Sequence, residues 1–225
     1  MAQKREATAE RDSVVSAGPR RLLVATGSKH KLAELRALLA LPNTDLLSLS
    51  DLGLTDDAQE VGETFAENAT AKALWYASRA GLPTLADDSG LEVDALDGQP
   101  GVRTRRFAGD DPSDEENNDH LLDLLGGLLP EDRTARYRCV LAYAEPTADG
   151  GALLRDTTVG SFEGRITADE PRGQNGFGYD PIVEPADEPI GGRTVAQLSA
   201  AEKNARSHRG QAALLMRERL LERGY

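Results

Sequence analysis

The sequence predicts a mixed α/β fold built on a mixed β-sheet. Two observations carry this. In the first half, short apolar runs alternate with helical patterns. Leu22-Leu23-Val24-Ala25, for example, is followed by Leu32, Leu35 and Leu38/Leu39 at helical spacing. In the second half, two long segments flank Asp149-Gly150-Gly151 and read as an antiparallel hairpin. The chain has 225 residues, 39% hydrophobic, which fits one α/β domain or two small lobes sharing a core. Aromatic residues are only 4%, so that core must rest on Leu, Val and Ala.

Residues 1–20 are polar, mixed in charge and aperiodic, and read as a disordered leader; the folded domain is expected over 21–225. Leu22 to Ala25 is a buried strand ending in Thr26-Gly27-Ser28. The following helix carries Lys31 and Glu34 on a face other than its leucines, and Pro42 closes it. Asp45 to Ser48 is a second strand, and the acidic stretch Asp51 to Gly62 a loop. Thr64 to Ala80 is a long helix with Phe65, Ala69, Ala73 and Tyr76/Ala77 as its apolar stripe, ended by Gly81 and Pro83. Thr84-Leu85-Ala86 is a short strand running into Asp87-Asp88-Ser89-Gly90, and Leu91 to Ala95 a further one. The stretch from Gly98 to Gly109 is a loop, and Ser113 caps a helix reaching Leu125 before a loop from Gly126 to Asp132. Ala135 to Ala144 and Leu153 to Gly164 are the hairpin strands, the first with Tyr137, Cys139, Leu141 and Tyr143 on one face. Gly173 to Pro181 is a loop and Val195 to Leu198 a short turn or helix. Ala200 to Arg206 and Gly210 to Arg223 are helical, the latter with Ala212, Leu215/Met216 and Leu220 inward.

The net charge of −12 argues against a nucleic-acid polymer lying on the surface, because such binding needs a field of Lys and Arg. A small phosphorylated ligand needs only a few focused cations and a metal. No apolar stretch approaches the roughly 20 residues of a membrane span. The N-terminus does not read as a secretory signal. The single cysteine, Cys139, lies in an apolar run and is expected to be a buried thiol, consistent with a reducing compartment.

Five constellations can carry chemistry. Thr26-Gly27-Ser28-Lys29-His30-Lys31 leaves a strand and enters a helix, where free N–H groups and the helix dipole suit a phosphate. It lacks the spacing of a Walker loop, and an ordinary turn with surface lysines and an exposed His30 fits it equally. Asp87-Asp88 stands at the end of an apolar strand. If the strand persists, neighbouring residues point to opposite faces and only one carboxylate can aim at a given ligand. That carboxylate could hold Mg²⁺ or take a proton from water; solvated turn aspartates are the plain alternative. Glu63 and Glu67 suit a helix start, whereas Glu60 in the preceding loop is freer to reach a metal. Gly173 to Pro181 combines three glycines with Phe177 and Tyr179, so backbone can approach closely and Phe177 can stack on a base; a packing loop is the alternative. Lys203 with Ser207-His208-Arg209 could hydrogen-bond a purine edge or simply end a helix.

Five segments occur in order: Ala-Thr-Gly-Ser-x-x-Lys-x-x-Glu, Gly-Glu-Thr-Phe-x-Glu-Asn-Ala, Ala-Asp-Asp-Ser-Gly-Leu, Gly-Phe-Gly-Tyr-Asp-Pro and Ser-His-Arg-Gly. This order resembles the inosine/xanthosine triphosphate pyrophosphatase family over residues 21 to about 223. The resemblance implies an elongated mixed β-sheet flanked by helices, two lobes around a central cleft, and a cytoplasmic homodimer. It implies Mg²⁺-dependent hydrolysis of deaminated purine nucleoside triphosphates (ITP, dITP, XTP) to the monophosphate and pyrophosphate, which clears them from the nucleotide pool. Thr26, Gly27, Ser28, Lys29, His30 and Lys31 would hold the triphosphate. Asp88 would be general base and metal contact, with Glu60 a further metal ligand, and Ser89 would touch substrate. Phe177, Gly178, Tyr179, Asp180, Lys203, His208 and Arg209 would line the nucleoside and phosphate site. Lys31 and Lys203 would offset the charge that builds up during reaction.

The chain departs from the family at Ser28, where Asn is common, and a phosphate contact is at stake there. Asn175 stands where Gly is frequent; because Asn tolerates a left-handed backbone, the loop is expected to be unchanged. Two other functions remain open at this level. One is a nucleotide-binding regulatory module without turnover, against which the acidic set Asp87, Asp88 and Glu60 argues. The other is a pyrophosphatase for modified pyrimidine or 7-methyl guanosine nucleotides.

Overall fold

The computed structural model describes residues 18–56 and 58–225. Most of the expected leader lies outside the described residues. Strand β1 (Arg20–Ala25) begins two residues earlier than the expected Leu22, at Arg20. Helix α1 (Lys29–Leu39), β2 (Thr44–Ser48), α2 (Phe65–Ala80) and β3 (Thr84–Val93) follow. Then come α3 (Asp114–Leu124), β4 (Thr134–Pro146), β5 (Ala152–Ile166), β6 (Val183–Pro185), α4 (Ala200–Arg206) and α5 (His208–Glu222). The sheet order is β2-β1-β3-β4-β5-β6; β1 pairs parallel with β2 and β3, and every later pairing is antiparallel. This is the mixed sheet the sequence predicts, with short 3₁₀ turns in several expected loops, Gly101–Arg106 among them.

Burial on both faces explains the continuous apolar run of β1. Leu22 and Val24 pack with Leu35, Leu39, Leu141 and Met216 under α1 and α5. Leu23 and Ala25 point the other way and pack with Phe65, Ala69, Ala73 and Ala77 of α2. A third cluster sits at the far end of β4 and β5, where Leu91, Val93, Leu121, Phe162 and Ile182 meet. The two long strands therefore run as a spine from the paired cores to the separate one, which gives an elongated sheet with two lobes.

Helix ends follow their side-chain caps. Thr64 caps α2 and Ser113 caps α3, each in a reciprocal box with Glu67 or Glu116. Ser207 ends α4 and caps α5 at once, so α5 starts at His208 rather than Gly210. Its inward stripe uses Ala213 where Leu215 was expected; Leu215 is exposed. Gly160 of β5 is required here. A Cβ on it would collide with the carbonyl of His208 and the amide of Ala212. Gly160→Ala is expected to lift the start of α5 off the sheet and cost about 1–3 kcal/mol by overpacking; a thermal melt together with pyrophosphate release would show both effects.

The Asp87-Asp88-Ser89-Gly90 motif departs from the expectation. The sequence suggested two short strands around Asp87-Asp88-Ser89-Gly90. The structure has one continuous strand through it, paired with β4 as Asp87 to Leu141, Asp88 to Val140 and Ser89 to Cys139. The polar residues do not break the strand because its ladder is complete and their side chains find ionic partners. The motif thus lies mid-strand, not at a strand end. Strand β6 was not anticipated; its three residues are too short for an alternation to show.

Candidate active site

The continuous strand sends the two aspartates to opposite sides. Asp87 meets Lys31 of α1 at 3.3 Å and the guanidinium of Arg209 of α5 at 3.3 Å. Burial pushes its carboxyl up, but Lys31, Arg209 and Lys72 outweigh this and hold it well below the usual carboxylate range. Asp88 faces α2, where Lys72 Nζ donates to its Oδ1 at 3.0 Å. Its Oδ2 is buried and has no hydrogen-bond partner among the described residues. Burial raises the Asp88 carboxyl above its usual value, with Lys72 only partly offsetting it. Neighbouring carboxylates with environments that push them apart are the pattern of an ion-pair anchor beside a working acid–base group.

Lys72 also donates to Glu60 Oε1 at 2.9 Å, so Glu60 and Asp88 converge on one ammonium. Burial disfavours that charge, but Asp88, Asp87 and Glu60 together raise the lysine above its usual value and keep it protonated. Among the described residues no group of three or more His, Cys, Asp or Glu side chains is arranged to hold a metal. Two convergent carboxylates, one with a buried unpaired oxygen, nevertheless fit Mg²⁺, which takes few protein ligands and completes its shell with water and phosphate.

On the other side of β3, Arg209 is 1% exposed and gathers three partners. It donates to Glu34 Oε2 at 2.5 Å, to Ser89 Oγ at 2.8 Å and to Asp87 Oδ2 at 3.3 Å. Lys203 donates to Asp180 Oδ2 at 2.8 Å and lies 2.9 Å from Glu34 Oε1. Arg209 and Lys203 hold the Glu34 carboxyl low although burial pushes it up. Asp180 in turn accepts from the Phe177 amide at 3.0 Å and from the Tyr137 hydroxyl at 3.1 Å. The Tyr137 ring stacks on His208 at 4.8 Å. Burial, with Arg209 and Lys203 nearby, pushes His208 well below the usual imidazole range, so it is neutral at pH 7. Its Nδ1 is buried without a partner among the described residues. Tyr137→Phe deletes only the hydroxyl. Losing a hydrogen bond to a carboxylate is expected to cost about 1.5–3 kcal/mol, read as a lower denaturation midpoint.

The loop Thr26 to Lys31 lies beside this cluster. Thr26 Oγ1 accepts from the Ser28 amide at 3.2 Å, and Ser28 Oγ caps α1 by accepting from the Lys31 amide at 3.4 Å. Serine at position 28 therefore serves the helix start. Gly27, Lys29 and His30 are exposed. Phe177 is half-buried, with the ring of His30 stacked on it. Backbone with positive φ in this loop occurs at Gly173, Gly176 and Gly178, not at Asn175, whose side chain instead holds the Leu198 carbonyl at 3.0 Å. Two residues of the loop are tied to other elements. The Tyr179 ring belongs to the far core and its hydroxyl donates to the Thr104 carbonyl at 2.8 Å. The Gly178 amide donates to Asp114 of α3 at 2.6 Å. These two residues anchor the loop to the second lobe.

Sequence reasoning missed Lys72, Glu34 and Tyr137 as members of the site. Lys72 left a signal: it is a lysine inside the stripe Ala69, Ala73, Tyr76, where a charge is expected only if paired. Cys139 lies behind Ser89, fully buried, and burial with Asp87 nearby pushes its thiol up to about 12. It is expected to resist a thiol reagent at pH 8 in the native protein and to react once per chain in denaturant.

The chain is similar to several known proteins over most of its length. The chain is 46% identical over 200 residues to the dITP/XTP pyrophosphatase of Thioalkalivibrio sulfidiphilus, covering 89% of this chain and 98% of that protein. It is 48% identical over 201 residues to the dITP/XTP pyrophosphatase of Geobacter sulfurreducens, covering 89% and 96%. The solved HAM1 protein of Coxiella burnetii superposes with a TM-score of 0.77 at 40% identity, covering 90% of this chain and 99% of that one. The family model described as the Ham1 family matches residues 22–219, a span that holds every site residue named above, and the chain belongs to the Ham1 family.

Proposed function

We propose that this chain hydrolyses deaminated purine nucleoside triphosphates (ITP, dITP and XTP) to the monophosphate and pyrophosphate, with Mg²⁺ as cofactor. The names of its relatives and the order of its motifs support this reading, and one observation carries the mechanism. Lys72 engages Oδ1 of Asp88 and leaves Oδ2 buried and unpartnered. A buried carboxylate oxygen without a donor is the group to accept a proton from an attacking water. Asp87 is unsuited to that task, because Lys31 and Arg209 hold it as a permanent anion.

Asp88 and Glu60 would hold Mg²⁺, which supplies charge neutralisation on the triphosphate and a fixed orientation for it. The rest falls to the chain. The start of α1 and Lys31 receive the phosphates. Asp88 takes the proton from the water that attacks the α-phosphorus, and pyrophosphate leaves. Lys31 and, in place of the expected Lys203, Lys72 offset the charge of the expanding phosphate, because Lys72 touches Asp88 whereas Lys203 is held by Asp180 and Glu34. Neutral His208 and Arg209 stand ready for a 6-oxo purine, and a base that leaves their buried polar atoms unmatched is rejected. Chelation with EDTA is expected to abolish pyrophosphate release from ITP and added Mg²⁺ to restore it; undiminished release in EDTA would overturn the metal assignment. Placement in the cytoplasm and a homodimeric state are proposed from the family resemblance. Sedimentation at micromolar concentration tests the latter. No helix among the described residues is long and apolar enough to cross a membrane.

A further inference from the structure

Phe177 has crowded surroundings. The His30 ring stacks on it at a centroid distance of 5.3 Å and an interplanar angle of 17°. Lys203 Nζ lies 4.8 Å and Arg209 Cζ 5.8 Å from the same ring centre. A purine that stacks on Phe177 must take the place of one of these groups. The two cations cannot step aside cheaply. Both are buried, and carboxylates hold them: Asp180 and Glu34 for Lys203, Glu34 and Asp87 for Arg209. His30 is exposed, and among the described residues the Phe177 ring is its only side-chain partner. It leaves by rotating its own side chain, while the start of α1 stays pinned by the Ser28 cap and the Lys31–Asp87 pair.

We propose that His30 is a gate over the base platform: its imidazole covers the Phe177 face in the free protein, and the purine of the substrate displaces it. This rests on the reading of Phe177 as the base platform. It also revises the expectation that His30 holds the triphosphate. One turn of α1 then does two things. Its backbone and Lys31 receive phosphate, and its second residue sets how readily the base enters. The gate discriminates by stacking strength. A base that stacks well replaces the imidazole, and a fragment without a base gains nothing by opening it.

The first test compares His30→Ala with His30→Trp, using ITP with Mg²⁺ as substrate. Alanine suits the exposed helix position, so folding is not at stake. Releasing a stacked aromatic pair corresponds to about a 2- to 10-fold change in an equilibrium constant. KM for ITP is expected to fall by that factor in His30→Ala and to rise in His30→Trp, with a smaller change in kcat. A KM that rises in His30→Ala would make His30 a substrate contact and overturn the gate, and an unchanged KM in both variants would overturn it too. The second readout does not depend on turnover. In the proton NMR spectrum the His30 ring protons, assigned by their loss in His30→Ala, should be shifted by the Phe177 ring current and move to ordinary positions when ITP is added. His30 resonances that ITP leaves in place contradict the gate. If wild type fails to release pyrophosphate from ITP, the proposed function fails, whereas the ring-current shift in the free protein would still stand.

Discussion

Asp88→Asn is expected to lower turnover of ITP by roughly 10²- to 10⁴-fold, the range a positioned general base contributes. The substitution keeps shape and hydrogen-bonding capacity toward Lys72, which can still donate to the amide oxygen. What it removes is the basic oxygen at Oδ2 and one negative charge from the pair that converges with Glu60. Because burial raises the Asp88 carboxyl above its usual value, the ionised form costs stability in the folded protein. Neutralising it relieves that cost but weakens the partnership of Lys72, which is buried and counts Asp88 first among its opposite charges. The two effects oppose, so the melting temperature should move little while activity collapses. A variant with near wild-type kcat would refute the assignment of Asp88. A variant that fails to fold would show that the charge is structural.

Asp87→Asn should show the reverse pattern in stability. Asp87 is held below its usual range by Lys31, Arg209 and Lys72 acting against burial. Its contribution is therefore present above the unfolded-state value of 3.8 and is lost as pH falls through the depressed folded value. Removing one partner of a buried ion pair costs about 3–5 kcal/mol, because the other charge stays buried without compensation. Glu34 and Ser89 still hold Arg209, so the lower end applies, about 3 kcal/mol. In a domain of this size that corresponds to a melting temperature lower by roughly 6–12 °C. Activity should fall as well, since Arg209 and Lys31 lose their common anchor. Equal melting curves for the variant and wild type at pH 7 would contradict the role of Asp87 as the ionic hinge between α1, β3 and α5.

The fold was legible where one residue pattern implied one environment. The two-sided burial of β1, the capped start of α2 at Thr64 and the hairpin of β4 with β5 all follow from local patterning. The continuity of β3 was hidden because consecutive Asp, Asp, Ser and Gly have poor strand propensity. Tertiary pairing with β4 and charges from α1, α2 and α5 override that preference, and none of these partners is local. The site divides in the same way. The pair Asp87 and Asp88, the glycine-rich loop and the basic run at His208 and Arg209 announced themselves by composition. The face each aspartate takes was conditional on the strand, and the structure settles it. Lys72 escaped notice because a single polar residue in an apolar stripe reads as a defect until its carboxylate partners are known. The side chain of Tyr179 was ambiguous for a related reason. A ring in a glycine-rich loop can face either the ligand or the core, and only the Thr104 carbonyl and the third core cluster show which.

The proposed reaction cuts deaminated purine triphosphates between the α- and β-phosphates. The measurement that reaches it most directly is pyrophosphate release, under Mg²⁺, from ITP, dITP and XTP beside ATP, GTP, a modified pyrimidine triphosphate and 7-methyl guanosine triphosphate. The expected result is a kcat/KM for the deaminated purines above that for ATP and GTP, with pyrophosphate and not orthophosphate as product. Equal rates across the panel, or tight binding of ITP with no product after long incubation, would contradict it.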